Sequence, residues 1–164
     1  MKAKISYYTV NDLVDISNAR TLTELVRIAL VVLFRMPSPI YWVAGPITSG
    51  SRTSKENRCR LHNTILFFKI GKITTLNYLP LQKQAVKILR QEFAGRKLSK
   101  MEDYRLQERL RDELYAPIFR SGKIDALCIM PESEMSLNVQ WMRGFFHASG
   151  ISIKLIPERL IPKR

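Results

Sequence analysis

Four short β-prone runs, each separated from the next by far more chain than a hairpin needs, constrain this sequence most. They are Ile40–Ala44, Ile73–Leu79, Ile124–Met130 and Ile151–Ile156. Apolar, largely β-branched residues dominate them, and Gly45-Pro46, Pro80 and Pro131 close the first three. Strands joined by long connections pair in parallel, because parallel strands need crossovers of about a dozen residues or more, usually helices.

The intervening segments carry helix signals. Thr21-Leu22-Thr23-Glu24 reads as a capping box, predicting a helix to about Met36 that stops before Pro37 and Pro39. A second helix is expected from about Ser54–Asn57 to Gly71, with Leu61, Ile65 and Phe68 on one face. Gln82 to Phe93 reads as helix with Gly95 as its stop. Ser99 opens another, whose stripe Leu106, Leu110, Leu114 and Ile118 recurs every four residues, and Ser136 to Ser149 a last one closed by Gly150. The expected fold is α/β: a doubly wound, Rossmann-like or flavodoxin-like, mainly parallel sheet with helices on both faces. Residues 1–39 are expected to form an N-terminal helical extension and 40–164 the α/β domain.

Composition excludes several classes. Hydrophobic residues make up 46% of 164, enough for one core and too many for a disordered chain. The most apolar run, Ile28 to Phe34, is far short of the roughly 20 residues of a helical membrane span, and the N-terminus lacks a signal-peptide core. A soluble protein without a membrane partner is expected. Cys59 and Cys128 are the two cysteines; neither lies in a CxxC or Cys/His spacing, so a reducing, cytoplasmic setting is expected. His62 and His147 are far apart and lack ligand partners at helical spacing, so no metal and no cofactor is expected. A GxSxG nucleophile elbow is absent. Trp141, Met142, Phe145 and Phe146 read as core or interface.

The net charge of +13 is concentrated. Residues 51–100 carry twelve basic and two acidic side chains, whereas residues 101–150 are net −2. Such a stretch suits nucleotide phosphate or a nucleic-acid backbone, and equally a solvated helix face.

Two loops at the carboxyl ends of expected strands carry candidate chemistry. In Gly45-Pro46-Ile47-Thr48-Ser49-Gly50-Ser51-Arg52, small residues let backbone amides approach a ligand, Thr48 and Ser49 offer hydroxyls, and Arg52 offers a fork for an anion. It is neither a GxxxxGK[ST] nor a GxGxxG loop, and an ordinary flexible connection is its bland reading. In Pro131-Glu132-Ser133-Glu134-Met135-Ser136, two carboxylates suit acid/base or ribose-binding roles. A solvated loop with a helix cap at Ser133 or Ser136 accounts for them as well. The loop with Asn77, Tyr78 and Gln82 is too generic to use.

Tyr41-Trp42-Val43-Ala44-Gly45-Pro46-Ile47-Thr48 resembles the opening strand and loop of the nucleoside 2-deoxyribosyltransferase-like superfamily, typically Tyr-x-Ala-Gly-Pro. Asn57 stands where that family often has an Asn opening the next helix. The Ile124–Pro131 segment, with Asp125, is similar to its later strand. Ser136, Gly144 and Gly150 match the spacing of its final motif, Ser-x-Gly-x-x-x-Glu-x-Gly-x-Ala-x-x-x-Gly. The resemblance spans about residues 40–156. It implies a doubly wound fold, a nucleoside or nucleotide pocket built from Gly45, Pro46, Ile47, Thr48, Ser49, Arg52, Asn57, Ser136 and Asn138, cleavage of an N-glycosidic bond, and a homo-oligomer. The family's nucleophilic Glu falls at Met142, and a thioether cannot form the covalent glycosyl intermediate.

Three functions follow as expectations. The first is a nucleoside- or nucleotide-binding protein with glycosidic catalysis lost or reduced. The second is an active deoxyribosyltransferase or deoxynucleoside 5′-monophosphate N-glycosidase using Glu132 or Glu134. The third is a basic nucleic-acid-binding or regulatory adaptor.

Overall fold

Side-chain caps set most of the helix starts. The computed structural model describes residues 7–47, 53–93 and 96–162. Thr9, Thr21, Thr53 and Ser99 each accept the backbone N–H three residues on, and Asp12, Glu24, Glu56 and Glu102 reach back to the capping residue's own amide. These boxes open α1 (Val10–Asn18), α2 (Leu22–Arg35), α3 (Ser54–Ile70) and α5 (Lys100–Arg109). Within the N-terminal segment expected to be helical, the bounds of α1 were not read from the sequence, although Thr9 and Asp12 carry the signal.

Among the described residues the sheet has four strands: β1 (Ile40–Ala44), β2 (Thr74–Thr75), β3 (Ala126–Ile129) and β4 (Ser152–Leu155). All pairings are parallel, in the order β2-β1-β3-β4. Trp42 stands opposite Leu127, and Ile129 opposite Leu155. The chain moves from β1 to one neighbour and then builds outward on the other side. Right-handed crossovers therefore place α3 and α7 (Leu137–Ala148) on opposite faces. The fold is doubly wound α/β, as expected. Every residue of β3 is buried, as a strand covered on both faces requires. Asp125 fixes the start of the central pair: its carboxylate accepts from the Ile40 amide at 2.6 Å, and its amide donates to the Ile40 carbonyl at 2.8 Å.

Three boundaries depart from expectation. The second strand is only Thr74–Thr75, because Leu79 and Pro80 open α4 (Leu79–Gln91). Proline is at home in a first helical turn, where no intrahelical partner for its missing N–H exists. The helix opened by Ser99 is not continuous: Leu110–Tyr115 forms a π-helical stretch before α6 (Ala116–Arg120). Pro117 lacks an amide to bond the preceding turn, and the wider turn accommodates it. A stripe recurring every four residues also drifts by about 40° per repeat on an α-helix. The π segment offsets this drift, and Leu106, Leu110, Leu114 and Ile118 are all buried. Gly71 caps α3, but the left-handed position is Lys72, with φ 60°. At the end of α7, Gly150 takes it, as expected. Gly95 lies outside the described residues.

The chain divides into two compact units. The sheet unit comprises Pro37–Asn77 and residues 124–162, with Trp42, Leu61, Ile65, Leu127 and Phe146 fully buried. The helical unit comprises residues 7–36 and Tyr78–Lys123, so α4, α5 and α6 cluster with the N-terminal helices. Its core joins Leu25 and Leu33 of α2 to Leu81 and Leu89 of α4 and to the Leu110 stripe. Arg35 pairs with Asp12 at 2.5 Å, and the Gln84 side chain donates to the Ala19 carbonyl at 2.9 Å.

Candidate functional site

Ligands of open parallel sheets bind outside the carboxyl ends of the strands, at the point where strand order reverses. Here that point lies between β1 and β3. Gly45 and Pro46 leave β1 as buried residues and Ile47 is half-buried. Met130 follows β3 and donates its amide to the Ala44 carbonyl at 2.8 Å. Its sulfur lies 2.6 Å from where a Cβ on Gly45 would stand. A side chain at position 45 would have to displace this thioether.

The described wall of the β1 loop is fastened to α3. Asn57, 3% exposed, donates its side-chain amide to the Ile47 carbonyl at 3.4 Å. One turn later, Arg60 reaches Glu132 and Glu158, each at 3.2 Å. Glu132 has a φ of 60°, sparsely populated for a residue with a side chain. The backbone therefore turns sharply between Pro131 and Ser133, whose hydroxyl donates to the Met130 carbonyl at 2.6 Å.

A cavity of about 360 Å³ opens on the same edge of the sheet, beside β3, β4 and α7. That volume lies in the range of small-molecule pockets. Ile129, Val139 and Ile156 give it apolar walls, while Glu134, Gln140, Arg143 and Glu158 supply polar groups. Gln140 donates its side-chain amide to the Glu134 carbonyl, holding the loop against α7. Arg143 and Glu134 make no ion pair among the described residues. The cavity thus presents a cation and an acceptor carboxylate beside apolar surface.

The two expected carboxylates have different fates: Glu134 lines the cavity, whereas Glu132 is engaged by Arg60. Ser136 caps α7, accepting from the Val139 amide at 3.4 Å, and Asn138 sits half-buried in the first turn of α7. Thr48, Ser49 and Arg52 lie outside the described residues. Met142 is 3% exposed and faces the core. Ser133, expected as an alternative helix cap, instead bonds the Met130 carbonyl, and Arg143 was not singled out from the sequence, although it shares a helix face with Gln140 three positions before it. Among the described residues, no group of three or more His, Cys, Asp or Glu converges as a metal site, and no helix is long and apolar enough to cross a membrane.

No family model matches the chain, and neither a curated protein nor a solved structure shows significant similarity to it.

Proposed function

We propose that the sheet unit is a nucleoside- or nucleotide-binding domain of the nucleoside 2-deoxyribosyltransferase-like superfamily, with N-glycosidic catalysis lost or much reduced. The observation that carries this reading is the cavity at the carboxyl edge of β3 and β4, where Arg143 and Glu134 stand beside apolar walls. Arg143 supplies a fork for a phosphate, Glu134 an acceptor for sugar hydroxyls, and the apolar walls a surface for the base or sugar. Loss of catalysis rests on α7 itself, whose sequence from Leu137 to Ala148 contains no carboxylate. Its residue at the nucleophile position, Met142, is buried. Binding is tested by calorimetric titration with nucleosides, 5′-nucleotides and NAD-type compounds; silence across the panel would sink the reading.

A second reading is favoured by one observation. Glu134 lines the cavity and makes no ion pair among the described residues, so an active transferase or N-glycosidase would use Glu134 rather than Glu132. Chromatography of deoxynucleosides and their 5′-monophosphates separates the two readings. Free base released by the wild type and lost in Glu134→Gln supports catalysis, and no release supports binding alone. A cytoplasmic homo-oligomer completes the proposal; neither cysteine is in a disulfide, which suits a reducing compartment.

A further inference from the structure

The helical unit carries a cationic surface that its own acids do not neutralise. In α4, Leu81, Ala85 and Leu89 are buried, whereas Lys83, Lys87 and Arg90 are exposed at a spacing of four and three residues. They form one stripe extending about 10 Å along the helix axis. The helix contains no acidic residue. Arg90 continues the stripe into a depression of about 590 Å³, which Arg96, Lys97 and Lys100 also line. Among the described residues that line it, Asp103 is the one acid.

Elsewhere in the unit some cations do have acidic partners. Arg35 pairs with Asp12, and Arg109 with both Glu92 and Glu113. Within the patch, Arg96 pairs with Glu102 and also lies over the Phe93 ring, 5.6 Å from its centroid. Lys83, Lys87, Arg90, Lys97 and Lys100 make no ion pair among the described residues. Solvated helix faces usually intersperse signs, and i,i+4 acids relieve the repulsion of lined-up cations. An unrelieved stripe leading into a basic depression instead complements a linear polyanion with regularly spaced charges.

We propose that the exposed face of α4, with Arg96, Lys97 and Lys100, is a docking surface for the phosphodiester backbone of a nucleic acid. Recognition is of backbone, not sequence: lysines are point charges without base-edge geometry, and the patch has no row of aromatic platforms. An anionic membrane is the weaker match, because the stripe itself lacks apolar side chains to insert. This surface lies in the helical unit and stands independently of the cavity in the sheet unit.

The test is fluorescence anisotropy with labelled 20-nucleotide single-stranded RNA, single-stranded DNA and duplex DNA, at several salt concentrations. The variants are K83Q/K87Q/R90Q and the charge-matched control K72Q/K154Q/R159Q, with circular dichroism to check folding. Four or five released counterions give a log–log salt slope of about −3 on single strands. The α4 variant is expected to lose at least tenfold in affinity at low salt and to flatten the slope by about 2. The control should lose less than threefold. Equal losses in both variants would overturn the site by reducing it to net charge. So would the absence of binding to any of the three probes, or binding to anionic vesicles with none to the nucleic acids. The difference between RNA and DNA identifies the polymer.

Discussion

Arg60 and Glu132 face each other at 3.2 Å across seventy-two positions of sequence. The Arg60 side chain is only 11% exposed, and the same guanidinium holds Glu158 at 3.2 Å. This clasp ties α3 to the loop after β3 and to the segment after β4. Arg60→Ala removes both ion pairs and the packing of a side chain that is largely buried, so a loss of about 1–3 kcal/mol is expected, between the values for exposed and buried pairs. Glu132→Gln leaves an exposed partner position and is expected to cost less than about 1 kcal/mol. Urea unfolding of both variants checks the order.

The contact between Gly45 and Met130 predicts a coupling. Gly45→Ala forces the buried thioether aside and is expected to cost about 1–3 kcal/mol. Met130→Ala leaves a cavity and costs about 2–5 kcal/mol. In the double variant the new methyl occupies vacated space, so its loss should fall short of the sum by about 1 kcal/mol or more. A double-mutant cycle by chemical denaturation measures this, and strict additivity would contradict the packing.

Acid sensitivity is expected to reside in the helical unit. Hydrogen bonds from Arg96, then from the Ser99 amide and hydroxyl, hold the Glu102 carboxyl down at about 2. Burial raises the Asp12 carboxyl, but Thr9 and Arg35 outweigh it and the net shift is downward; Arg109 lowers Glu113. Groups depressed on folding stabilise fully above the unfolded carboxylate range, near pH 4.5, and lose that contribution as pH falls through the folded value. Thermal melts should therefore weaken progressively between about pH 5 and pH 2. Glu102→Gln should flatten that dependence while lowering stability at pH 7.

The two cysteines should differ in reactivity. Cys59 is exposed, whereas burial pushes the Cys128 thiol up to about 11 despite the opposing effect of Lys154. The thiolate is the reactive form. One thiol is expected to react with Ellman's reagent in the native protein at pH 7.5, the second only after denaturation. Rapid titration of both in native buffer would contradict the placement of Cys128.

Local signals made much of the fold legible. The bounds of β1 agree with the Ile40–Ala44 run, and the Thr21 and Ser99 caps start helices where their hydroxyls predict. Where the sequence misled, two local rules competed: Pro80 reads as a strand end but serves as a helix start, and two threonines suffice for β2 once β1 is beside them. The cavity was less legible because its polar groups converge only when α7 closes on β3 and the segment after β4 comes alongside. Glu132 and Glu134 are two positions apart and chemically alike. The left-handed turn at Glu132 and the reach of Arg60 separate them, and neither is visible locally.

The central claim is that the β3–β4 cavity takes a nucleotide through Arg143. Isothermal titration of a 5′-nucleotide panel into wild-type and Arg143→Gln protein tests it most directly. Saturable binding of at least one nucleotide is expected, weakened about tenfold or more in the variant because a charge-assisted phosphate contact is lost. The corresponding nucleoside should change little. No binding by the wild type, or nucleotide affinity unaltered by Arg143→Gln, would contradict the account.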